Sequence, residues 1–129
     1  MSDLQIGEGE ARFADIIWNN EPIASGVLAK QSEEQLGWKK TTSYTVLKRL
    51  CNKGLFKNEK GTVTSLISKQ EFDSMKSEKF VEDTFNGSLP AFISAFTSRK
   101  KLSHDEIEQL RRMVAEFEEE LLWKICLLS

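Results

Sequence analysis

At 129 residues, with 40% apolar and 29% charged residues, the chain is sized for one compact domain or a small domain with an oligomerisation appendage, and its composition is that of a folded protein with a core. A formal net charge of −2 says little about partners, because it averages segments of opposite sign. Cys51 and Cys126 have no CxxC spacing and no neighbouring His, which argues against a metal site or a disulfide framework; with no leader and no run of about 18 apolar residues, the expectation is a cytoplasmic protein with no membrane segment.

In chain order, Leu4 and Ile6 alternate with polar neighbours as a short strand would, closed by Gly7 and Gly9. A helix is expected from about Glu10 to Asn19, with Phe13, Ala14, Ile16 and Ile17 as its buried stripe and Trp18 closing it. Asn19, Asn20 and Pro22 then make a turn. Ser25 is placed to cap a second helix whose Val27, Leu28 and Leu36 point inward, and Gly37 ends it. Trp38 leads into a third helix over 41–53. Its apolar positions Val46, Leu47, Leu50 and Cys51 share one side, Thr41, Thr42, Thr45, Lys48 and Arg49 occupy the remainder, and Gly54 stops it.

Three short helices with a tight break before the third have the helix-turn-helix arrangement. Leu55 to Asn58 and Thr62 to Ile67 then read as two strands around Glu59-Lys60-Gly61, a hairpin. A helix-turn-helix followed by a hairpin is a winged helix. From Lys39 to Lys60 there are seven basic residues against Glu59 alone, a local charge of +6 in an otherwise acidic chain.

That charge has two readings: a solvated face of an ordinary amphipathic helix, or a surface for nucleic acid. The helix-turn-helix context favours DNA. The candidate contacts are Lys40, Thr41, Thr42, Ser43, Tyr44, Thr45, Lys48 and Lys53, with Lys57 and Lys60 from the wing. Thr42 and Thr45 are the best placed to read bases. Tyr44 has two readings, stacking on a sugar or packing on the preceding helix. Arg49 lies toward the C-terminal half, where a side chain more often anchors structure or backbone than reads a base.

From Ser68 the chain turns helical and acidic. Ser68 and Glu71 have capping-box spacing, Phe72, Met75, Phe80 and Phe85 are the apolar positions, and Asn86-Gly87 is the stop. Ser88 caps the next helix, with Pro90 in its first turn and Phe92, Ile93 and Phe96 on its apolar side. After Arg99-Lys100-Lys101, Ser103 and Glu106 form a second capping box, with Leu102 and Ile107 as a hydrophobic staple. Ile107, Leu110, Val114, Phe117 and Leu121 alternate steps of three and four. This seam either packs within the chain or meets a second copy. The apolar end from Leu121 to Ser129 either extends that core or anchors the chain to a surface.

The expected architecture is mostly α: a winged-helix DNA-binding domain over 1–67 with a small hairpin wing, and a helical dimerisation region over 68–129. No nucleophile, paired-carboxylate or phosphate-loop motif occurs, and one histidine, His104, cannot build a zinc site. The chain is therefore read as no enzyme, with no catalytic residue, metal or cofactor.

Glu10 to Trp18, Lys40-Thr41-Thr42, Leu47-Lys48-Arg49-Leu50, Lys53-Gly54-Leu55, Phe85 to Ser88 and Leu102 to Arg111 together resemble the penicillinase-repressor type of bacterial winged-helix regulator. That family includes beta-lactam-responsive and copper-responsive repressors. The resemblance implies a homodimer that binds a palindromic operator through its third helix, represses transcription and dimerises through its C-terminal helices. Copper-responsive members carry paired Cys-x-Cys elements near the C-terminus, where this chain has only Cys126. The beta-lactam branch is inactivated by a regulatory protease, commonly before a Phe, and the matching bond here is Ala95 to Phe96. Family members usually have Asn where Ala95 stands, and aromatic residues where this wing reads Thr62 to Leu66. The competing reading is a winged-helix protein-interaction module without sequence-specific DNA binding.

Overall fold

The structure, a computed structural model, describes residues 5–128. Helix α1 runs from Glu8 to Asn20, starting two residues before the expected Glu10, because the Ala11 amide already bonds the Gly7 carbonyl at 2.9 Å. Gly9 thus lies inside the helix. A Cβ there would sit 3.2 Å from the Trp38 ring, so the missing side chain makes room for Trp38, which stacks on Phe13 at 5.3 Å. The expected strand at Leu4 and Ile6 is not formed at Ile6, which is coil packed against the core; Leu4 lies outside the described residues.

Phe13, Ala14, Ile16 and Ile17 are buried, as the stripe requires. Trp18 is half-buried and ties the head together. Its indole N–H donates to the Ile67 carbonyl at 2.9 Å, while its ring meets Phe56 at 5.1 Å and Phe72 at 5.4 Å.

Strand β1, Ile23–Ala24, has only two residues and therefore leaves no periodicity to read. It pairs antiparallel with β3, Thr62–Ser65, which pairs in turn with β2, Phe56–Glu59, in the order β1-β3-β2. Both carboxylate oxygens of Glu21 accept from Ser65, fastening the approach to β1 onto β3. The hairpin turn is Lys60-Gly61, both at positive φ (51° and 87°), and Asn58 Oδ1 accepts from the Gly61 amide. Two consecutive left-handed residues match the twist of the flanking strands.

Helix α2 spans Ser25–Leu36. Ser25 does not cap it. It is the first helical residue, and its amide is drawn into the sheet by the Gly61 carbonyl at 2.7 Å. Nor does Val27 point inward: it is 48% exposed, because the buried stripe is Leu28, Ala29 and Ser32. Gly37 closes the helix in the left-handed conformation, as expected. Helix α3 spans Lys40–Asn52 and buries Val46, Leu47 and Leu50, with Cys51 half-buried. Each fully buried Phe, Leu or Ile in this core contributes roughly 1.5–3 kcal/mol of transfer free energy.

Helix α4, Lys69–Phe85, opens on the expected capping box, the Ser68 hydroxyl accepting from the Glu71 amide at 3.0 Å. Of its apolar positions only Phe72 is buried; Met75 and Phe80 are exposed and Phe85 is half-buried. Because Phe72 joins the head core and Lys69 pairs with Asp15 at 2.6 Å, the chain divides into compact units at 84/85 rather than where its composition changes, at 67/68.

In the second unit, Asn86 (φ 51°) and Gly87 (φ 79°) end α4, and the Ser88 hydroxyl accepts from the Ala91 amide to cap α5, Leu89–Arg99. Helix α6, His104–Leu128, begins with a reciprocal capping box: the Glu106 amide donates to the Ser103 hydroxyl and the Ser103 amide to the Glu106 carboxylate. No described residue of α5 or α6 is buried. No helix among the described residues is long and apolar enough to cross a membrane.

Candidate nucleic-acid interface

Helix α3 presents Thr41, Thr42, Thr45 and Lys48 on one exposed face, since steps of three and four return to the same side of a helix. Lys40 and Tyr44 flank it, with the Lys40 ammonium 6.0 Å from the Tyr44 ring centre. Tyr44 is 37% exposed, leaving its ring partly available to a backbone sugar. The Thr45 hydroxyl donates to the Thr41 carbonyl at 2.9 Å. It is left as an acceptor, suited to an adenine or cytosine amino group. Thr42 makes no side-chain hydrogen bond among the described residues.

Ser43 does not share this face. It is 2% exposed, and its hydroxyl has no hydrogen-bond partner among the described residues. One position after Thr42 turns a side chain by about 100°, which here carries Ser43 into the interior. Its inclusion among DNA contacts is therefore corrected.

The positive charges divide by role. Arg49 pairs with Glu10 at 3.3 Å and fastens α3 to α1, the anchoring alternative for that residue. Lys53 donates to the Gln5 carbonyl at 2.6 Å and is half-buried, and Lys57 pairs with Glu59 on its own strand at 3.2 Å. Lys40, Lys48 and Lys60 are exposed and form no ion pair among the described residues; Lys60 sits at the wing tip. Lys39, which belongs to the +6 segment but not to the candidate DNA contacts, is exposed at the N-cap of α3. No side chain among the described residues caps that end, so the first amides of α3 and the helix dipole are open beside two lysines. Lys39 was identifiable from its position immediately before the helix.

The Cys51 thiol is pushed up by burial, which keeps it protonated and unreactive. The arrangement suits binding: an open helix start, three hydroxyl-bearing side chains, and lysines on both sides.

The penicillinase repressor family matches residues 6–116. The chain is similar to the penicillinase repressor of Bacillus licheniformis, 28% identical over 116 residues, covering 87% of this chain and 91% of that protein. It is similar also to the methicillin resistance regulatory protein MecI of Staphylococcus aureus, 25% identical over 114 residues, covering 85% of this chain and 93% of the other. Among solved structures, the DNA-binding domain of the repressor BlaI superposes with a TM-score of 0.50 at 25% identity, covering 55% of this chain and 93% of that domain. With the match spanning both compact units and the winged-helix head shared with a repressor's DNA-binding domain, this chain belongs to the penicillinase repressor family of transcriptional repressors.

Proposed function

We propose that the protein is a homodimeric repressor in antibiotic-resistance regulation, binding a palindromic operator by laying α3 of each copy in successive major grooves. The observation that carries this reading is the exposed threonine-and-lysine face of α3 beside its uncapped start. Affinity comes chiefly from phosphates neutralised by Lys39, Lys40, Lys48 and Lys60, and specificity from Thr42 and Thr45 at base edges. Ile107, Leu110, Val114, Phe117 and Leu121 join the two copies.

Release follows from cleavage between Ala95 and Phe96 by a regulatory protease. Both residues are exposed, and α5 has no buried residue to hold it closed. Local opening of such a helix costs little, which is what a protease requires.

The test is capture of genomic fragments by the purified protein, then binding to the recovered site across a salt series. Lys48→Ala is expected to weaken binding to every sequence and to lower the log–log salt slope by about 0.9 for each phosphate no longer neutralised. Thr42→Ala is expected to relax preference at one operator position, by about 1–3 kcal/mol. A folded dimer that retains no fragment at low salt would replace this reading with the protein-interaction module.

A further inference from the structure

The threonines proposed above to read bases, Thr42 and Thr45, stand in the first two turns of α3, so the seating of that helix start decides whether their hydroxyls reach base edges. The start has no side-chain cap of its own among the described residues. Its first backbone bond runs from the Ser43 amide to the Lys39 carbonyl at 3.1 Å, one residue after Trp38. Whatever holds Trp38 therefore holds the first turn of α3.

Two attachments do so. The Gly37 amide donates to the Glu33 carbonyl at 3.1 Å and the Trp38 amide to the Ser32 carbonyl at 3.5 Å, which ties the turn to the end of α2. The Trp38 ring ties it to α1, stacking on the fully buried Phe13 with 23° between the ring planes. That seat exists because residue 9 has no side chain, a Cβ there standing 3.2 Å from Trp38 Cζ2. Gly9 lies in the first turn of α1, where a regular helix does not call for glycine. The notch is the physical reason for it.

Resting on the DNA-binding reading above, we infer that Gly9 and Trp38 are positioning residues for operator recognition. A notch in α1 and the ring seated in it place the start of α3 where its threonines meet base edges, although neither residue is among the DNA contacts. The two kinds of DNA contact respond differently when that seat shifts. A hydrogen bond to a base edge holds only within roughly half an ångström of distance. The attraction between a lysine and a phosphate falls slowly with distance, and the flexible lysine stem adjusts. Farther along α3, Arg49 pairs with Glu10 and Lys53 donates to the Gln5 carbonyl, so the rest of the helix keeps its place. Unseating the ring thus removes sequence preference and leaves binding to random DNA.

The experiment compares binding to the recovered operator and to random duplex for the full-length protein and four variants: Trp38→Ala, Trp38→Phe, Gly9→Ala and the Gly9→Ala/Trp38→Phe double. Circular dichroism follows the unfolding of each. Trp38→Ala is expected to lower the ratio of operator to random binding about tenfold, as loss of one base contact would, with random binding and its salt slope unchanged. Trp38→Phe keeps the stack and is expected to hold the ratio within about threefold of the natural protein. Gly9→Ala is expected to lower the ratio about fivefold without lowering the unfolding midpoint, because alanine is the better helix former. The double variant is expected to match Trp38→Phe alone, since the smaller ring leaves room for the added methyl. A Gly9→Ala variant that keeps the full ratio, or a double variant that falls below both single ones, would overturn the positioning role while leaving DNA binding intact. A natural protein that does not distinguish operator from random duplex would overturn the reading on which it rests.

Discussion

The winged-helix head and the second unit bury their apolar residues in opposite ways. The head folds Phe13, Ile17, Leu28, Leu50, Leu55, Phe56 and Val63 to within 2% of complete burial, whereas no residue of α5 or α6 is more than half-buried. Their apolar content is not the difference: α6 alone carries more large exposed hydrophobics than the whole head. Three helices and a sheet surround a core from several sides. Two helices joined by a short loop can cover only one side of each other, so the rest of their apolar surface waits for another molecule. The head is specified by its own contacts, and the second unit by association.

The largest expected effect tests the head. Phe13→Ala leaves a cavity between α1 and the Trp38 ring, and is expected to cost about 3–5 kcal/mol in denaturant unfolding followed by tryptophan fluorescence. A loss under 1 kcal/mol would mean that the head core is not closed.

Next, Phe117→Asp is expected to raise the dimer dissociation constant about a hundredfold while leaving the head's unfolding transition in place, since burial of roughly 1.5–3 kcal/mol per ring is forfeited by each copy. If the head melts as well, the two units are not independent in the way their burial indicates.

A smaller effect isolates the start of α6. Ser103→Ala is expected to cost about 1 kcal/mol, read as faster amide exchange at Glu106 and Ile107. The same cap carries a pH dependence. The Ser103 amide, and then its hydroxyl, hold the Glu106 carboxyl below the usual glutamate range. A depressed carboxylate contributes stability that is present above its unfolded value and lost as pH falls through its folded value. Acidification should therefore fray α6, and Glu106→Gln should erase that dependence; circular dichroism across the acid range reads both.

The smallest change separates Ser43 from its neighbours in the head. Its buried hydroxyl has no partner among the described residues, so Ser43→Ala is expected to be neutral or to stabilise by up to about 1 kcal/mol, with operator affinity unchanged. Weakened DNA binding would return Ser43 to the contact surface.

How much was legible follows from the range of each signal. Both capping boxes, the Ser88 cap, the Gly37 ending and the Asn86-Gly87 stop were readable because they depend on residues within about four positions of one another. The stripe of α1 and the apolar side of α3 were readable from period alone. Strand β1 was not, because two residues carry no pattern and their conformation is imposed by pairing with β3. Ser25 was misassigned for a related reason, since the sheet draws its amide to Gly61, and Val27 because the buried stripe of α2 runs through Leu28, Ala29 and Ser32 instead.

On the candidate surface, residue type and spacing proposed Thr41, Thr42, Thr45, Lys40, Lys48 and Lys60, all of which are exposed, but could not tell the buried Ser43 from them or the half-buried Lys53 from the open lysines. Those distinctions depend on Gln5 and on the core, far away in sequence. The amino-acid order by itself determined the helices, the caps of α4, α5 and α6, the endings of α2 and α4, the wing turn and the +6 segment, since these are local matters of backbone preference and charge. Only the tertiary structure decided which cations are occupied, through Glu10, Gln5 and Glu59, and that Phe72 carries the head beyond residue 67. Hydrogen bonds and ion pairs act over a few ångströms of space, and chain folding alone brings such distant partners within reach.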